Sequence, residues 1–170
     1  TLKMLMGGFK LSRRLLSFPR PVIIACNGHA IAMGSFLLLS GDHRLGATGD
    51  YKVVANEVQI GLTMPYSSIE ICRQRLKQSH FDRAVLLSEL YQPEAAIEAG
   101  FLDQLVPFEE LNQNAALFAK QLAALDANAH RQSKARTRKT MLRRLWWAIH
   151  KDWLDFIRQG LMKSIQKKKR

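Results

Sequence analysis

The chain has 170 residues, 47% of them hydrophobic, and 26 Lys and Arg against 14 Asp and Glu give a formal net charge of +12. That length and apolar share fit one folded unit with a substantial core, or a compact unit with a helical appendage, and no run is apolar enough to span a bilayer. Residues 1–130 hold 12 basic and 12 acidic side chains while 131–170 hold 14 basic ones against Asp152 and Asp155, so the charge excess is C-terminal and a uniformly basic nucleic-acid-coating domain is excluded.

Leu2 to Phe18 reads as an amphipathic helix, apolar at 5, 9, 11, 15, 16 and 18 and stopped by Pro19 and Pro21. Gly7, Gly8 and Lys10 interrupt any secretory-signal pattern there. Val22 to Cys26 is a short, β-branched apolar run, the pattern of a buried strand. Asn27 to Ser35 follows as a small-residue loop, and Met33 to Ser40 reads as a short buried helix. A loop from a strand into a helix presents unpaired backbone N–H groups backed by the helix dipole. Such a loop suits a developing negative charge on oxygen, and taken alone it fits a simple tight turn as well.

Leu45 to Ala47 and Tyr51 to Val54 read as short strands. Ala55 to Pro65 then places Glu57 among Val54, Val58, Ile60 and Leu62, where poor solvation raises a carboxyl pKa. The same residue on an exposed turn, or paired with an Arg, is the structural alternative. Helices are predicted at 66–76, 79–89 and 93–99, the last opened by Pro93 and Glu94. Phe101 to Val106 reads as a strand, Glu109 to Ala127 as a helix, and 131–166 as two helices separated near His150. Strand–helix alternation followed by helices alone indicates an α/β core with an α-helical C-terminal part. Cys26 and Cys72 read as reduced, buried thiols, and the five histidines show no metal-ligand spacing, so no metal is expected.

Three segments together carry a resemblance. They are Asn27-Gly28 with its small-residue loop, leading to Gly41-Asp42-His43-Arg44; Glu57 four residues before Gly61 with Pro65 following; and Ala99-Gly100-Phe101-Leu102-Asp103 leading to Val106-Pro107. In this order and spacing the chain resembles the crotonase superfamily, the enoyl-CoA hydratase/isomerase family, over roughly Ser12 to Asn128. The resemblance implies a spiral of strand-strand-helix repeats lacking its N-terminal part over 1–107, and a C-terminal helical region with a basic tail over 108–170. Because such repeats normally precede the first helix, a truncated product is expected, with activity of this polypeptide in doubt.

It further implies an acyl-CoA substrate, no separate cofactor, and an oxyanion donor at the N–H of Met33. Gly34 would keep the helix start open, and Glu57 would be the acid/base. Around the acyl group the implied contacts are His29, Ala30, Ala32, Phe36, Thr63, Met64 and Pro65. His29 also reads as a loop hydrogen-bonder. Hydratases of the family usually carry a second glutamate where Phe36 stands, so the reading leans to double-bond isomerisation, with hydration by one glutamate left open. Asp42 and Arg44 read as a structural ion pair or cap, and Asp103 as a turn residue. Trp146, Trp147 and Trp153 read as packing residues on a core or a neighbour.

The basic end has three readings: a solvated or subunit-facing tail, contact with CoA phosphates through some of Lys134, Arg136, Arg138, Lys139, Arg143 and Arg144, or RNA binding. A homotrimer or dimer of trimers, no membrane and a cytoplasmic location complete the expectation. The alternative from another class is a catalytically impaired crotonase-like protein serving as an interaction or RNA-binding module.

Overall fold

The computed structural model describes residues 2–168, with side chains described through Arg158. In chain order the elements are α1 (Leu2–Ser17), β1 (Ile23–Cys26), β2 (Ala30–Ile31), α2 (Met33–Leu38), β3 (His43–Ala47), β4 (Val53–Val54), α3 (Tyr66–Arg75), α4 (Gln78–Leu87), α5 (Pro93–Ala99), β5 (Gln104–Val106), a 3-10 turn (Phe108–Glu110), α6 (Leu111–Ala123) and α7 (Ala127–Lys168). The strands form a three-stranded parallel sheet, β1-β3-β5, and a separate parallel pair, β2-β4.

Parallel strands need crossovers, and helices supply them here. α2 carries the chain from β2 towards β3, and α3, α4 and α5 carry it from β4 to β5. The main core joins Phe9 and Leu16 of α1, Phe36 of α2, Ile71 and Cys72 of α3, and Leu145 and Ile149 of α7. A second cluster, Leu45, Ala47, Val106 and Leu111 with Ile23 and Phe118 against it, seats α6 on the sheet. Two glycines make close contacts. A Cβ on Gly8 would stand 2.5 Å from the Met33 sulfur, so a larger residue there would push the Met33 side chain aside. Gly100 ends α5 at φ 97°, and a Cβ there would meet the Arg75 carbonyl at 2.7 Å.

The structure differs from the sequence reading most clearly as follows, besides shorter bounds such as Gln104–Val106 for the strand expected at 101–106. β2 was not foreseen, the strand expected at 51–54 narrows to Val53–Val54, and the C-terminal region is one continuous helix rather than two. Nothing at His150 breaks the helix, since no Gly or Pro stands between Ala127 and Arg158. The Trp reading is corrected in part: Trp146, Trp147 and Trp153 are 40–58% exposed and do not pack in this chain's core.

α7 docks through an inner stripe at helical spacing, Lys134, Arg138, Leu145, Ala148 and Asp152, all buried. Three of these five are ionisable. Lys134 Nζ meets Asp42 Oδ2 at 2.5 Å and Arg138 meets Asp42 Oδ1 at 2.8 Å, while Val22 N–H donates to the same carboxylate at 2.7 Å. Lys134 also donates to the Arg20 carbonyl, and Arg138 to that of Leu16. Arg44, for its part, pairs with Asp103 and donates to the Gly100 carbonyl. Asp42 and Arg44 are therefore structural, each with a different partner. Removing one member of a buried, hydrogen-bonded charge cluster leaves the others uncompensated. Asp42→Ala is expected to lower unfolding free energy by about 3 kcal/mol, read from the urea midpoint; an unchanged midpoint would contradict the anchoring role.

Candidate active site

Because β2 and β4 run parallel, the segments that follow them leave from the same end. The ladder pairs Ala30 with Val53 and Ile31 with Val54, and Ala32 N–H continues it to the Val54 carbonyl at 2.9 Å. Met33 begins one residue past that tie, and Glu57 lies three residues past its other end.

Ala32 is held at φ 50° and ψ −118°, a positive-φ conformation that costs a non-glycine residue energy. The corner starts α2 directly. Ser35 and Phe36 N–H both return to the Ala32 carbonyl. Among the described residues nothing accepts from the N–H groups of Met33 or Gly34, as first-turn geometry requires. The Met33 side chain packs against the main core and lies over Gly8.

Glu57 opens a compact turn, closed by Leu62 N–H on the Glu57 carbonyl at 2.8 Å and by Gln59 N–H on Ser88 Oγ at 3.1 Å. The residue is buried, 6% exposed, and its Oε2 has no hydrogen-bond partner among the described residues. Burial raises its pKa above the ordinary carboxylate value, against a smaller pull downward from its own backbone amide. The source of that burial corrects the sequence reading. Val58, Ile60 and Leu62 are 43–59% exposed, so the apolar neighbours along the chain do not cover the carboxyl. Val54 and Ala55 are buried beside it, and the Cys72 thiol of α3 lies close enough for the Glu57 charge to raise its pKa further.

The remaining candidates divide. Ala30 is buried in β2, and Ala32 lies at the strained corner. His29 is exposed and accepts the Lys52 N–H on Nδ1 at 3.0 Å, which satisfies the loop reading. Phe36 is 0% exposed with its ring 6.3 Å from that of Phe9, so the structure places it in the core and not on an open surface. Thr63 is exposed, Met64 is buried in the main core, and Pro65 precedes α3. Lys134 and Arg138 are committed to Asp42 and are not free for a phosphate; Arg136, Lys139, Arg143 and Arg144 are exposed. Two adjoining cavities of about 210 and 330 Å³ share Arg20 and Ala127, and neither includes Met33 or Glu57. No group of three or more metal-binding side chains occurs among the described residues, and no described helix is long and apolar enough to cross a membrane.

A family model described as enoyl-CoA hydratase/isomerase matches residues 4–167. The chain belongs to this family. It is 46% identical to an enoyl-CoA hydratase/isomerase family protein from Pseudomonas syringae, with a TM-score of 0.86 over 89% of this chain and 66% of that one. It is 44% identical to an enoyl-CoA hydratase from Mycobacterium marinum, with a TM-score of 0.87 over 91% of this chain and 68% of that one. These neighbours establish the crotonase fold. Human mitochondrial enoyl-CoA delta isomerase 1 is 29% identical over 147 residues, 86% of this chain and 49% of the relative. The chain thus spans about half the length of that curated relative.

One residue of the site region escaped the sequence reading. Asp152 of α7 accepts the Tyr66 N–H at 2.8 Å and the Ser67 N–H at 2.9 Å, capping α3 from across the fold. Its signal was present: an acid occupying an inward position of a helix otherwise rich in bases.

The raised Glu57 pKa has a consequence for stability. A carboxyl whose folded pKa exceeds its unfolded one contributes stability fully present below the unfolded value and lost as pH rises through the folded value. Glu57→Gln should therefore raise the melting temperature at pH 7–8 and give no gain near pH 4, measured by calorimetry. An equal effect at both pH values would contradict a desolvated carboxyl.

Proposed function

We propose that these residues supply one half of an acyl-CoA enolate site in a family enzyme that shifts the double bond of an enoyl-CoA thioester. The Met33 N–H, with the Gly34 N–H beside it, hydrogen-bonds the thioester oxygen. A second donor comes from polypeptide outside these 170 residues. Glu57 takes a proton from one carbon of the acyl chain as charge moves onto the oxygen, then returns it to another carbon, so no proton or electron is gained or lost overall. No coenzyme is needed beyond the CoA of the substrate.

One observation carries the reading. Two unsatisfied groups of complementary chemistry, an acceptor-seeking amide and a desolvated carboxyl, leave the same end of one strand pair. A single preorganised donor of this kind lowers a barrier by roughly 3–4 kcal/mol. A carboxylate whose pKa is raised by burial is a stronger base for abstraction from carbon than an ordinary one. Isomerisation is favoured over hydration because Phe36 lies in the core and offers no second carboxylate to hold water; the human relative's name, an enoyl-CoA delta isomerase, agrees. The outward Trp146, Trp147 and Trp153 support a contact between copies along α7.

In the full-length protein, Glu57→Gln is expected to lower kcat for enoyl-CoA isomerisation by about 10²–10⁴-fold with little change in KM. Turnover left intact would remove Glu57 from the mechanism.

A further inference from the structure

α3 has no cap of its own. Pro65 stands before it and makes no side-chain hydrogen bond, where a Ser, Thr, Asn or Asp would ordinarily serve. The orphan N–H groups of Tyr66 and Ser67 are instead taken by the two oxygens of Asp152, 86 and 85 residues away in sequence. The carboxylate is 2% exposed, and Lys151 beside it lies over the Tyr66 ring at 5.1 Å. Both oxygens are used, so α3 is fixed in direction as well as in place.

This helix bears on Glu57 at two points. Leu62 closes the Glu57 turn, and only Thr63, Met64 and Pro65 separate it from the anchored amide of Tyr66. Farther along the same helix, the buried Cys72 thiol lies near enough to Glu57 for the carboxylate charge to push its pKa up. Displacing the start of α3 would therefore move the exit of the turn, and with it the Glu57 carboxyl relative to Cys72.

We propose that Asp152 is a positioning residue for Glu57: by gripping the first two amides of α3, it sets where the Glu57 carboxyl stands relative to the substrate. The inference rests on the acid/base reading of Glu57 given above. It assigns Asp152 no contact with substrate.

The test uses Asp152→Ala and Asp152→Asn in the full-length protein, with Glu57→Gln as the control, and expresses rates per folded molecule. Asp152→Ala should lower kcat on an enoyl-CoA about tenfold with KM held within about twofold, the pattern of a misplaced catalytic group. Asp152→Asn, which keeps one acceptor oxygen, should recover part of that loss. The ¹³C carboxyl titration of Glu57 in Asp152→Ala should move down towards the ordinary carboxylate value as water reaches the acid. A folded Asp152→Ala with unchanged kcat and an unmoved Glu57 titration would make Asp152 a helix cap alone and overturn the proposal. If Glu57→Gln abolishes turnover in that case, only this inference falls. If Glu57→Gln turns over normally, the acid/base reading and this inference fall together.

Discussion

The hydrogen bond from Ala32 N–H to the Val54 carbonyl is the constraint on which the site depends. It extends a two-residue parallel ladder by one rung and ties the segment entering α2 to the one leading to Glu57. Its cost is visible next door, in the positive φ of Ala32. A strained backbone persists only where surrounding structure determines it, and the rung on one side and the first turn of α2 on the other do so here. The result is a helix start whose first amides, those of Met33 and Gly34, have no acceptor among the described residues.

The charged docking of α7 serves the same end at longer range. One inner stripe carries Lys134 and Arg138 to Asp42 at the entrance of β3, and Asp152 to the entrance of α3. Asp42 lies just before β3 and the two amides begin α3, so α7 fixes the starts of two earlier elements. Buried ion pairs give little net stability over an apolar interface but specify register strongly when a single partner is right. A stripe of leucines could slide along α1 and α3 by a turn. Asp42 and the two α3 amides accept only one alignment.

Much of this was legible in the sequence, and for identifiable reasons. α1 and β1 show clear periodicity or composition, α5 opens with Pro93 and closes at Gly100, and the buried Cys26 and Cys72 sit where an apolar run predicted them. Glu57 stood out because its spacing to Gly61 and Pro65 matches the family pattern. Its environment did so only in part: of the neighbours expected to bury it Val54 is buried while Val58, Ile60 and Leu62 face outward, and the nearby Cys72 belongs to a helix distant in the chain. β2 was illegible because two residues carry no alternation. Phe36 was read as a pocket residue from its position in the motif, yet its contact with Phe9 is tertiary and no local pattern announces it. Asp152 does not stand out in the sequence because an acid among the bases of α7, with Asp155 three residues on, reads as surface until its partner is known.

The central claim is that the Met33 amide and the Glu57 carboxyl serve one thioester. A crystal structure of the full-length protein with an unreactive acyl-CoA analogue tests it most directly. The thioester oxygen is expected within about 2.7–3.1 Å of the Met33 nitrogen, with the adjacent acyl carbons facing the Glu57 carboxyl. A thioester bound with its oxygen on other donors, or with core side chains between it and Glu57, would contradict the account.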